Sequence, residues 1–347
     1  MIVLSIAAVL ALGILLYFDI RLMASYSLHE KKCEDTECEC APVSVVVCAY
    51  NAAGTIADTM TSLLASEIKT FEIIVVDDGS SDATREIALQ YVSKTVRIVS
   101  QDHLGKGAAL NNGVNRASFE RIIIVDADTT LEPDALGHIS SSLDSHDAVC
   151  ANLQVQRGNG ILGFIQAHEH LRIAMFRSAY GTDTVSGACA GFRKDLLLRH
   201  PFASSVVEDF EHTQRIRKTG AKIGYAECAI AFTAMPASLG TYADQRLRWS
   251  RGTVAEMRRE NMSMAPFAKG YAIALADVLL VPLAIASGLW WTLAAAFCFE
   301  AALQTTGAVR EYGDMKASSL LFFPVLFALA VFSLIFTSAG LVGNTKK

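Results

Sequence analysis

The segment 121–128 reads RIIIVDAD, a run of β-branched hydrophobic residues that ends in two aspartates, Asp126 and Asp128. Continuous apolar runs of this length are typical of strands that a sheet buries on both faces. Similar runs and stretches with helical spacing alternate before it, the runs at 43–48, 72–76 and 96–99 and the helical stretches at 55–66, 83–92 and 106–117. The alternation predicts an α/β fold in which helices cover a mostly parallel central sheet.

The two aspartates that follow this run predict a metal site. In open α/β sheets, ligands bind at the carboxyl ends of the strands, and alternate side chains of an extended segment point the same way. Two convergent carboxylates repel each other unless a cation lies between them. Mg²⁺ or Mn²⁺ fits that demand, because these ions share oxygen ligands between protein and substrate phosphates. A solvated turn rich in aspartate is the alternative for Asp126 and Asp128.

Three further polar segments lie at predicted strand ends or helix starts. Asp77 and Asp78 end the second run, where a carboxylate can accept hydrogen bonds from a uracil or a ribose, unless they form an ordinary turn. Lys106 opens a helix whose free N–H groups would suit a diphosphate, and a simple helix start explains it equally well. Asp209 precedes the charged helical segment 210–218. It is a candidate base for an acceptor hydroxyl, or an acid that stabilises a helix N-terminus.

The pentad QRLRW at 245–249 is the most specific motif in the chain. Two arginines and an aromatic residue just before an apolar block could form an interfacial anchor. In the functional interpretation, Arg248 neutralises a departing diphosphate and Trp249 stacks on an acceptor sugar. The triplet His168-Glu169-His170 lacks the H-E-x-x-H spacing of a zinc site, and we expect a solvated helix face there.

The apolar residues are concentrated in blocks that predict membrane spans. Hydrophobic residues make up 52% of the 347, and the blocks lie at 2–18, 271–299 and 317–343. The lysines and arginines beside them predict an outside N-terminus and a cytoplasmic segment 41–268. The chain is therefore expected in the cell membrane (inner or plasma membrane), crossing it three times. A net charge of −5 offers no basic surface for nucleic acid.

The eight cysteines do not suggest an extracellular disulfide framework. Five occur singly, mostly in apolar runs, where a reduced cysteine behaves as a small hydrophobic residue. Cys33, Cys38 and Cys40 lie in an acidic stretch whose spacing fits no zinc pattern. We expect that stretch to be a solvated linker, with reduced cysteines in a reducing cytoplasm.

Taken in order along residues 42–260, these motifs resemble the inverting family 2 glycosyltransferases of the GT-A fold. The likeness is greatest to the membrane-bound group that includes the cellulose, chitin, hyaluronan and poly-N-acetylglucosamine synthases. The chain departs from that group in having Val207 before Glu208-Asp209, where threonine or glycine is usual. It also has fewer predicted spans than the polymer-secreting members use to build a channel.

The resemblance implies a role for each motif. The nucleotide-sugar site would contain Tyr50, Asp77, Asp78, Lys106, Asp126 and Arg248. The acceptor site would contain Ser186, Gly187, Gln245 and Trp249. Asp209 would be the catalytic base, and Asp128 would hold Mg²⁺ or Mn²⁺.

The resemblance also implies a reaction and an order of domains. A UDP-sugar would donate its sugar to a growing β-linked polysaccharide or, alternatively, to a membrane lipid, as in enzymes like ceramide glucosyltransferase. Self-association or a partner subunit would complete a channel, and a non-catalytic scaffold is the remaining interpretation. The expected order is an anchor at 1–20, a linker at 21–41, a catalytic domain at 42–234, interfacial helices with QRLRW at 235–268 and two spans at 269–347.

Overall fold

A computed structural model of the chain describes residues 2–28, 33, 40–155, 161–182 and 184–263, with short pieces at 279–280, 282–289, 291–292, 294 and 296. The chain divides into two compact units. The sheet unit contains Lys31–Gln156 and Tyr180–Met235, and the helical unit contains Met1–Glu30, Arg157–Ala179 and Pro236–Lys347. The expected catalytic domain is therefore not one continuous unit, because Arg157–Ala179 belongs to the helical unit.

The described elements follow the alternation that the sequence predicts. The strands are β1 (Val43–Ala49), β2 (Phe71–Asp77), β3 (Val96–Ser100), β4 (Arg121–Asp126), β5 (Thr129–Leu131), β6 (Ala148–Val155), β7 (Cys189–Arg193) and β8 (Ile223–Thr233). The helices are α1 (Ile2–Leu28), α2 (Ile56–Leu64), α3 (Thr84–Leu89), α4 (Lys106–Arg116), α5 (Ala135–Ser142), α6 (Ile161–Tyr180), α7 (Lys194–Arg199), α8 (Glu208–Arg217) and α9 (Leu239–Arg259).

The eight strands form one mixed sheet in the order β3-β2-β1-β4-β7-β6-β8-β5. Strands β1, β2, β3 and β4 pair in parallel, as do β6 and β8. Strand β7 is antiparallel to both of its neighbours, and β5 is antiparallel to β8. The predicted α/β fold with a mostly parallel sheet is confirmed. Because β1 lies between β2 and β4, the carboxyl ends of these three strands meet at one edge.

Helices cover both faces of the sheet, and β1 shows why. Val45 and Val47 pack in one core cluster with Met60 of α2. Val46 points to the opposite face and packs in a second cluster with Leu110 of α4. Successive side chains of a strand alternate between faces, so a continuous run of valines fills two cores at once.

Of the three predicted membrane spans, the described residues contain one candidate. Within the described residues, one helix segment, Ser5–Leu28, is long and apolar enough to cross a bilayer, with a mean hydropathy of 2.1. Helix α1 thus continues ten residues beyond the apolar block that predicted it. In the helical unit, Tyr26 of α1 packs with Met175 of α6. The expected span at 317–343 lies outside the described residues, and that at 271–299 lies largely outside them.

The expectation that the cysteines are reduced is wrong for one pair, so reduced thiols no longer support a cytoplasmic location for the sheet unit. The lysines and arginines beside the predicted spans remain the argument for that location. Cys33 and Cys228 form a disulfide within the sheet unit, with a Cα–Cα distance of 5.5 Å. They lie 195 residues apart in the chain, so no sequence spacing could indicate the pairing. Cys40, Cys48, Cys150 and Cys189 are free thiols, and the last two are buried, as expected for small hydrophobic residues.

Candidate active site

A cavity of about 500 Å³ opens at the sheet edge where β1, β2 and β4 end. Its walls come from the residues that follow these strands and from the start of α4. The lining residues with polar side chains or aromatic rings are Cys48, Tyr50, Asn51, Thr55, Asp78, His103, Lys106, Asp126 and Asp128. The sheet therefore brings four of the expected nucleotide-sugar residues and the expected metal ligand into one cavity.

Asp78 at the end of β2 holds the loop 101–105 in place. Its buried carboxylate accepts hydrogen bonds from the Leu104 and Gly105 N–H groups, each at 2.9 Å, and from the Gln101 side-chain amide at 2.7 Å. The His103 Nδ1 atom lies 2.9 Å from the same carboxylate. Both oxygens of Asp78 are thus engaged by this loop, so the side chain shapes the wall of the cavity.

Gly79 permits the close approach of that loop. Its φ of +73° lies in the left-handed region, which glycine adopts without strain. A Cβ atom added here would stand 2.8 Å from the His103 backbone nitrogen, which is closer than van der Waals contact allows. The glycine of the Asp77-Asp78-Gly79 motif is therefore required by packing against the loop as well as by the turn. Asp77 is buried beside it and accepts a hydrogen bond from the Ser80 N–H at 3.2 Å.

Two aromatic rings stack at the mouth of the cavity. Tyr50 and His103 have ring centroids 4.0 Å apart and planes inclined by 19°. Both side chains are about half exposed. A planar base cannot enter between rings that are already in contact, so a nucleobase stacked on this face of Tyr50 would take the place of His103.

Lys106, the first residue of α4, connects three segments of the site. Its ammonium lies 2.7 Å from the Asp126 carboxylate and 3.1 Å from that of Glu208, and it donates to the Gly187 carbonyl at 3.2 Å. The end of β4, the start of α8 and the loop before β7 therefore converge on one cation. Sequence analysis placed Lys106 beside donor phosphates, and the structure places it among carboxylates.

Asp209, the expected base, is held by backbone groups in the first turn of α8. One carboxylate oxygen accepts from the Gly187 N–H at 3.1 Å and the other accepts from the Phe210 N–H at 2.7 Å. A Cβ atom at Gly187 would lie 3.3 Å from the Asp209 Cβ and 3.2 Å from the Lys106 ammonium. The structure thus brings the Ser186-Gly187 loop against the expected base, and the glycine leaves room for it.

Four carboxylates surround Lys106, which is the one lysine or arginine among the described residues that line the cavity. We call Asp126, Asp128, Glu208 and Asp209 around Lys106 the acidic cluster. Burial raises the pKa of Asp126 to about 6, despite the ammonium beside it. Burial likewise raises the pKa of Asp128 and, together with repulsion from Glu208, that of Asp209.

The pKa of Lys106 also reflects the negative charge around it. Burial alone would lower its pKa, but the Asp126 and Glu208 carboxylates outweigh burial and raise it. The raised pKa values of the three acids come chiefly from burial, whereas that of Lys106 comes from the carboxylates beside it. Four carboxylates and one ammonium leave the acidic cluster short of positive charge. A further cation would relieve this shortage.

The donor atoms of the acidic cluster suit Mg²⁺ or Mn²⁺. Carboxylate oxygens are the ligands that these hard cations prefer. Among the residues that the structure describes, the Thr129 hydroxyl, at 3.4 Å, is the one side chain that donates to the Asp128 carboxylate. Within the described residues, no group of three or more His, Cys, Asp or Glu side chains is arranged to hold a metal alone. Mg²⁺ commonly needs only one or two protein carboxylates, with substrate phosphates as further ligands.

The remaining expected site residues lie in the helical unit. Gln245, Arg248 and Trp249 are on α9, which begins at a Ser238 cap whose hydroxyl accepts from the Thr241 N–H. Arg248 is exposed, and the Trp249 side chain keeps 37% of its surface open. The proximity of these three residues to the cavity stays a prediction.

The expected solvated face at His168-Glu169-His170 is wrong. His168 is buried, and the Glu169 carboxylate lies 2.5 Å from the Arg246 guanidinium. The reason is that α6 packs in the helical unit, where α9 presents Arg246 to it. The sequence of α6 alone gives no indication that Arg246 of α9 lies beside it.

Sequence reasoning also missed Gln101, His103 and Glu208 as site residues. The first two follow β3, and the rule that ligands bind at the carboxyl ends of strands would have found them had it been applied to that strand. Glu208 was noticed only as a neighbour of Asp209. Its ion pair with Lys106 depends on the fold, so no pattern in the neighbouring sequence could have indicated it.

Comparison with known proteins agrees with this fold. Residues 41–252, more than half of the chain, match the family model described as "Glycosyltransferase like family 2". A solved structure, the mannosyltransferase PcManGT from Pyrobaculum calidifontis in complex with GDP-Man and Mn²⁺, has a TM-score of 0.66 at 19% sequence identity, over 98% of this chain and 99% of that chain. That likeness shows the fold, which is GT-A-like.

Two curated relatives are poly-beta-1,6-N-acetyl-D-glucosamine synthases. The protein of Staphylococcus aureus strain MSSA476 is 29% identical over 250 residues, covering 68% of this chain and 60% of that protein. The Staphylococcus epidermidis protein is 28% identical over 335 residues, covering 93% of this chain and 79% of that protein. The chain therefore matches about three fifths of the length of the first relative.

Proposed function

The chain belongs to glycosyltransferase family 2, and from that premise we propose that it transfers a sugar from a UDP-sugar to a growing β-linked polysaccharide at the cytoplasmic face of a membrane. The observation that carries this proposal is the acidic cluster. Asp126 and Asp128 line the same cavity as Lys106, and Lys106 in turn contacts the segment that holds Asp209. A base, a cation site and a cavity for a nucleotide are the parts that sugar transfer from a nucleotide diphosphate needs.

The reaction that these residues support is a single in-line displacement with inversion. Asp209 takes the proton of an acceptor hydroxyl, whose oxygen bonds to the anomeric carbon while the bond from that carbon to the diphosphate oxygen breaks. Gly187 and Phe210 orient the carboxylate through their N–H groups. An α-linked donor sugar becomes β-linked in the product.

Other groups act on the leaving diphosphate and the acceptor. Asp128, with Asp126 beside it, would hold Mg²⁺ or Mn²⁺, which supplies positive charge for the leaving diphosphate. Arg248 would add a second positive charge there. The acceptor would bind against Ser186-Gly187, Gln245 and Trp249, and Tyr50 would stack on the nucleobase, with Asp77 and Asp78 at the nucleoside end of the cavity.

The polysaccharide acceptor is favoured by the relatives, which are polymer synthases at 28–29% identity. The N-terminal helix supports a membrane location, because Ser5–Leu28 is long and apolar enough to span a bilayer. We propose a multi-pass protein of the cell membrane, with the spans expected at 269–347 completing the anchor. Self-association or a partner subunit would complete a channel for the product.

A screen of UDP-sugars tests this function directly. Membranes or purified full-length chain are incubated with each UDP-sugar, with and without EDTA, and release of UDP is measured. We expect one donor to be consumed in a reaction that needs Mg²⁺ or Mn²⁺ and that Asp209→Asn abolishes. Release from no donor would contradict the function, and full activity in EDTA would contradict the metal site.

The fate of the labelled sugar then distinguishes the two acceptor classes. Label that stays in the aqueous or insoluble fraction as a high-molecular-mass product supports the polysaccharide. Label that moves into organic solvent as one small product shows transfer to a membrane lipid and would replace the polysaccharide assignment.

A further inference from the structure

Arg246, the second residue of the QRLRW pentad, lies between two aromatic rings on α9. Its guanidinium carbon is 4.9 Å from the centre of the Tyr242 ring and 4.8 Å from the centre of the Trp249 ring. Residues three and four apart on a helix share one face, so the order of residues on α9 allows this arrangement. A guanidinium at such distances is attracted to the face of each ring.

Glu169 of α6 fixes the guanidinium in this position. Its carboxylate accepts from Arg246 at 2.5 Å, with the two side chains only 26% and 14% exposed. Burial raises the pKa of Glu169 and the Arg246 charge opposes that rise, as expected when a buried acid has one cationic partner. We call Glu169, Tyr242, Arg246 and Trp249 the arginine clamp.

The clamp holds the indole of Trp249 through the guanidinium while part of the residue stays exposed. The residue keeps 37% of its surface exposed, although one contact of its ring is with the guanidinium. Sugar rings bind to the faces of exposed aromatic rings, and a ring that is already oriented loses less entropy when the sugar binds. The cation beside the indole therefore favours acceptor binding without contacting the acceptor.

We propose that Glu169 and Arg246 are positioning residues that set the orientation of Trp249 for the acceptor sugar. The inference rests on the proposed function, because that function makes Trp249 an acceptor-binding residue. It assigns different roles to the two arginines of the pentad: Arg246 supports the tryptophan from within the helical unit, and Arg248 is left exposed for the diphosphate.

Variants of Arg246 and Glu169 can distinguish this positioning role from simple packing between α6 and α9. Lysine keeps the charge and can still pair with Glu169, but it lacks the planar guanidinium that stacks on a ring. Arg246→Lys should therefore preserve the ion pair and release the indole. Glu169→Gln removes the charge from the partner and keeps its shape, and it serves as a second, independent variant.

The first measurement needs no transferase activity. The chain has three tryptophans, so Trp290→Phe with Trp291→Phe leaves Trp249 as the single tryptophan, whose emission is excited selectively at wavelengths that tyrosine does not absorb. In this background we expect Arg246→Lys and Glu169→Gln to lower the anisotropy of the tryptophan emission and to raise its quenching by acrylamide about twofold. Arg251→Lys, at an exposed arginine of the same helix, is the matched control and should change neither.

The second measurement uses a β-1,6-linked N-acetylglucosamine oligosaccharide as acceptor, with the donor that the UDP-sugar screen identifies. We expect the acceptor KM to rise about 5- to 10-fold in both clamp variants, in the range of a cation–π contact, with kcat and donor KM unchanged. Melting temperatures of the variants confirm that the protein is folded. A purely structural role would lower the melting temperature and leave the ratio of acceptor KM to donor KM unchanged.

The outcomes separate this inference from the proposed function. Unchanged anisotropy and unchanged quenching in both variants overturn the inference, whether or not the protein is active. Altered fluorescence with an unchanged acceptor KM also overturns it, because the indole would then move without consequence. Failure of the wild-type chain to transfer sugar from any donor overturns the proposed function, while the fluorescence result still decides whether the clamp orients Trp249.

Discussion

The acidic cluster of the sheet unit and the arginine clamp of the helical unit each hold one cation, and they differ in charge balance. Lys106 has four carboxylates around it, of which three have raised pKa values. Arg246 has one carboxylate partner, Glu169, and two rings. The first arrangement is short of positive charge and suits a ligand that brings a cation. The second is balanced and suits the support of a neighbouring side chain.

Among the variants that test this comparison, Asp209→Asn should have the largest effect. The amide cannot take up the proton of the acceptor hydroxyl, so we expect kcat to fall by about 10²- to 10⁴-fold, the usual contribution of a general base. UDP binding, measured by calorimetry, should change little, because the amide has nearly the same shape. Asp195→Asn, an exposed acid on α7, is the control and should keep full activity. An active Asp209→Asn protein would mean that the base is another residue.

Lys106→Met should have a smaller effect, and one that depends on pH. Removing the ammonium leaves the carboxylates of the acidic cluster to repel one another, so we expect a loss of about 1–3 kcal/mol in the free energy of unfolding at pH 8. The raised pKa of Lys106 means that its contribution is fully present below its unfolded value of about 10.4. Below the pKa of Asp126, about 6, that carboxylate becomes neutral and repulsion weakens.

Denaturant unfolding at pH 8 and pH 5 measures this difference. The destabilisation by Lys106→Met should be larger at pH 8 than at pH 5. An equal loss at both pH values would show that the effect does not depend on the charge of Asp126, and that the cluster has no shortage of positive charge. Lys69→Met, on the surface before β2, is the control.

The smallest effect is expected at the mouth of the cavity. His103 stacks on Tyr50, and a nucleobase that binds this face must displace it. His103→Ala should therefore tighten UDP binding about 2- to 10-fold, the range of one aromatic pair. Leu104→Ala, an exposed change in the same loop, should leave the affinity unchanged. Weaker binding to His103→Ala would mean that the imidazole contacts the base and adds to the site.

The first half of the sheet could be predicted from local patterns. Four apolar runs and the helical stretches between them correspond to β1–β4 and α2–α4 within one or two residues at most ends. A continuous β-branched run indicates a strand that is buried on both faces, and such a run is visible in consecutive residues. The antiparallel β7 and the short β5 carry no comparable run, because their pairing depends on neighbours that are distant in sequence.

The site could be predicted to the extent that polar residues follow strands or open helices. Asp78, Lys106, Asp126 and Asp128 were found in this way and do share a cavity. The engagement of Asp78 by the loop 101–105 and the pairing of Lys106 with Glu208 could not be predicted, since each depends on which loops meet. The same limit explains the error at Glu169, whose partner is 77 residues away in the chain.

The charge excess around Lys106 has a thermodynamic consequence for how the donor and the metal ion bind together. A nucleotide diphosphate adds negative charge to a place that is already short of positive charge, and a divalent cation without the nucleotide would lack its phosphate ligands. Each should therefore strengthen the binding of the other, and linkage requires that the two factors be equal. The apparent affinity for the donor would then rise with the concentration of the metal ion, and that for the metal ion with the concentration of the donor.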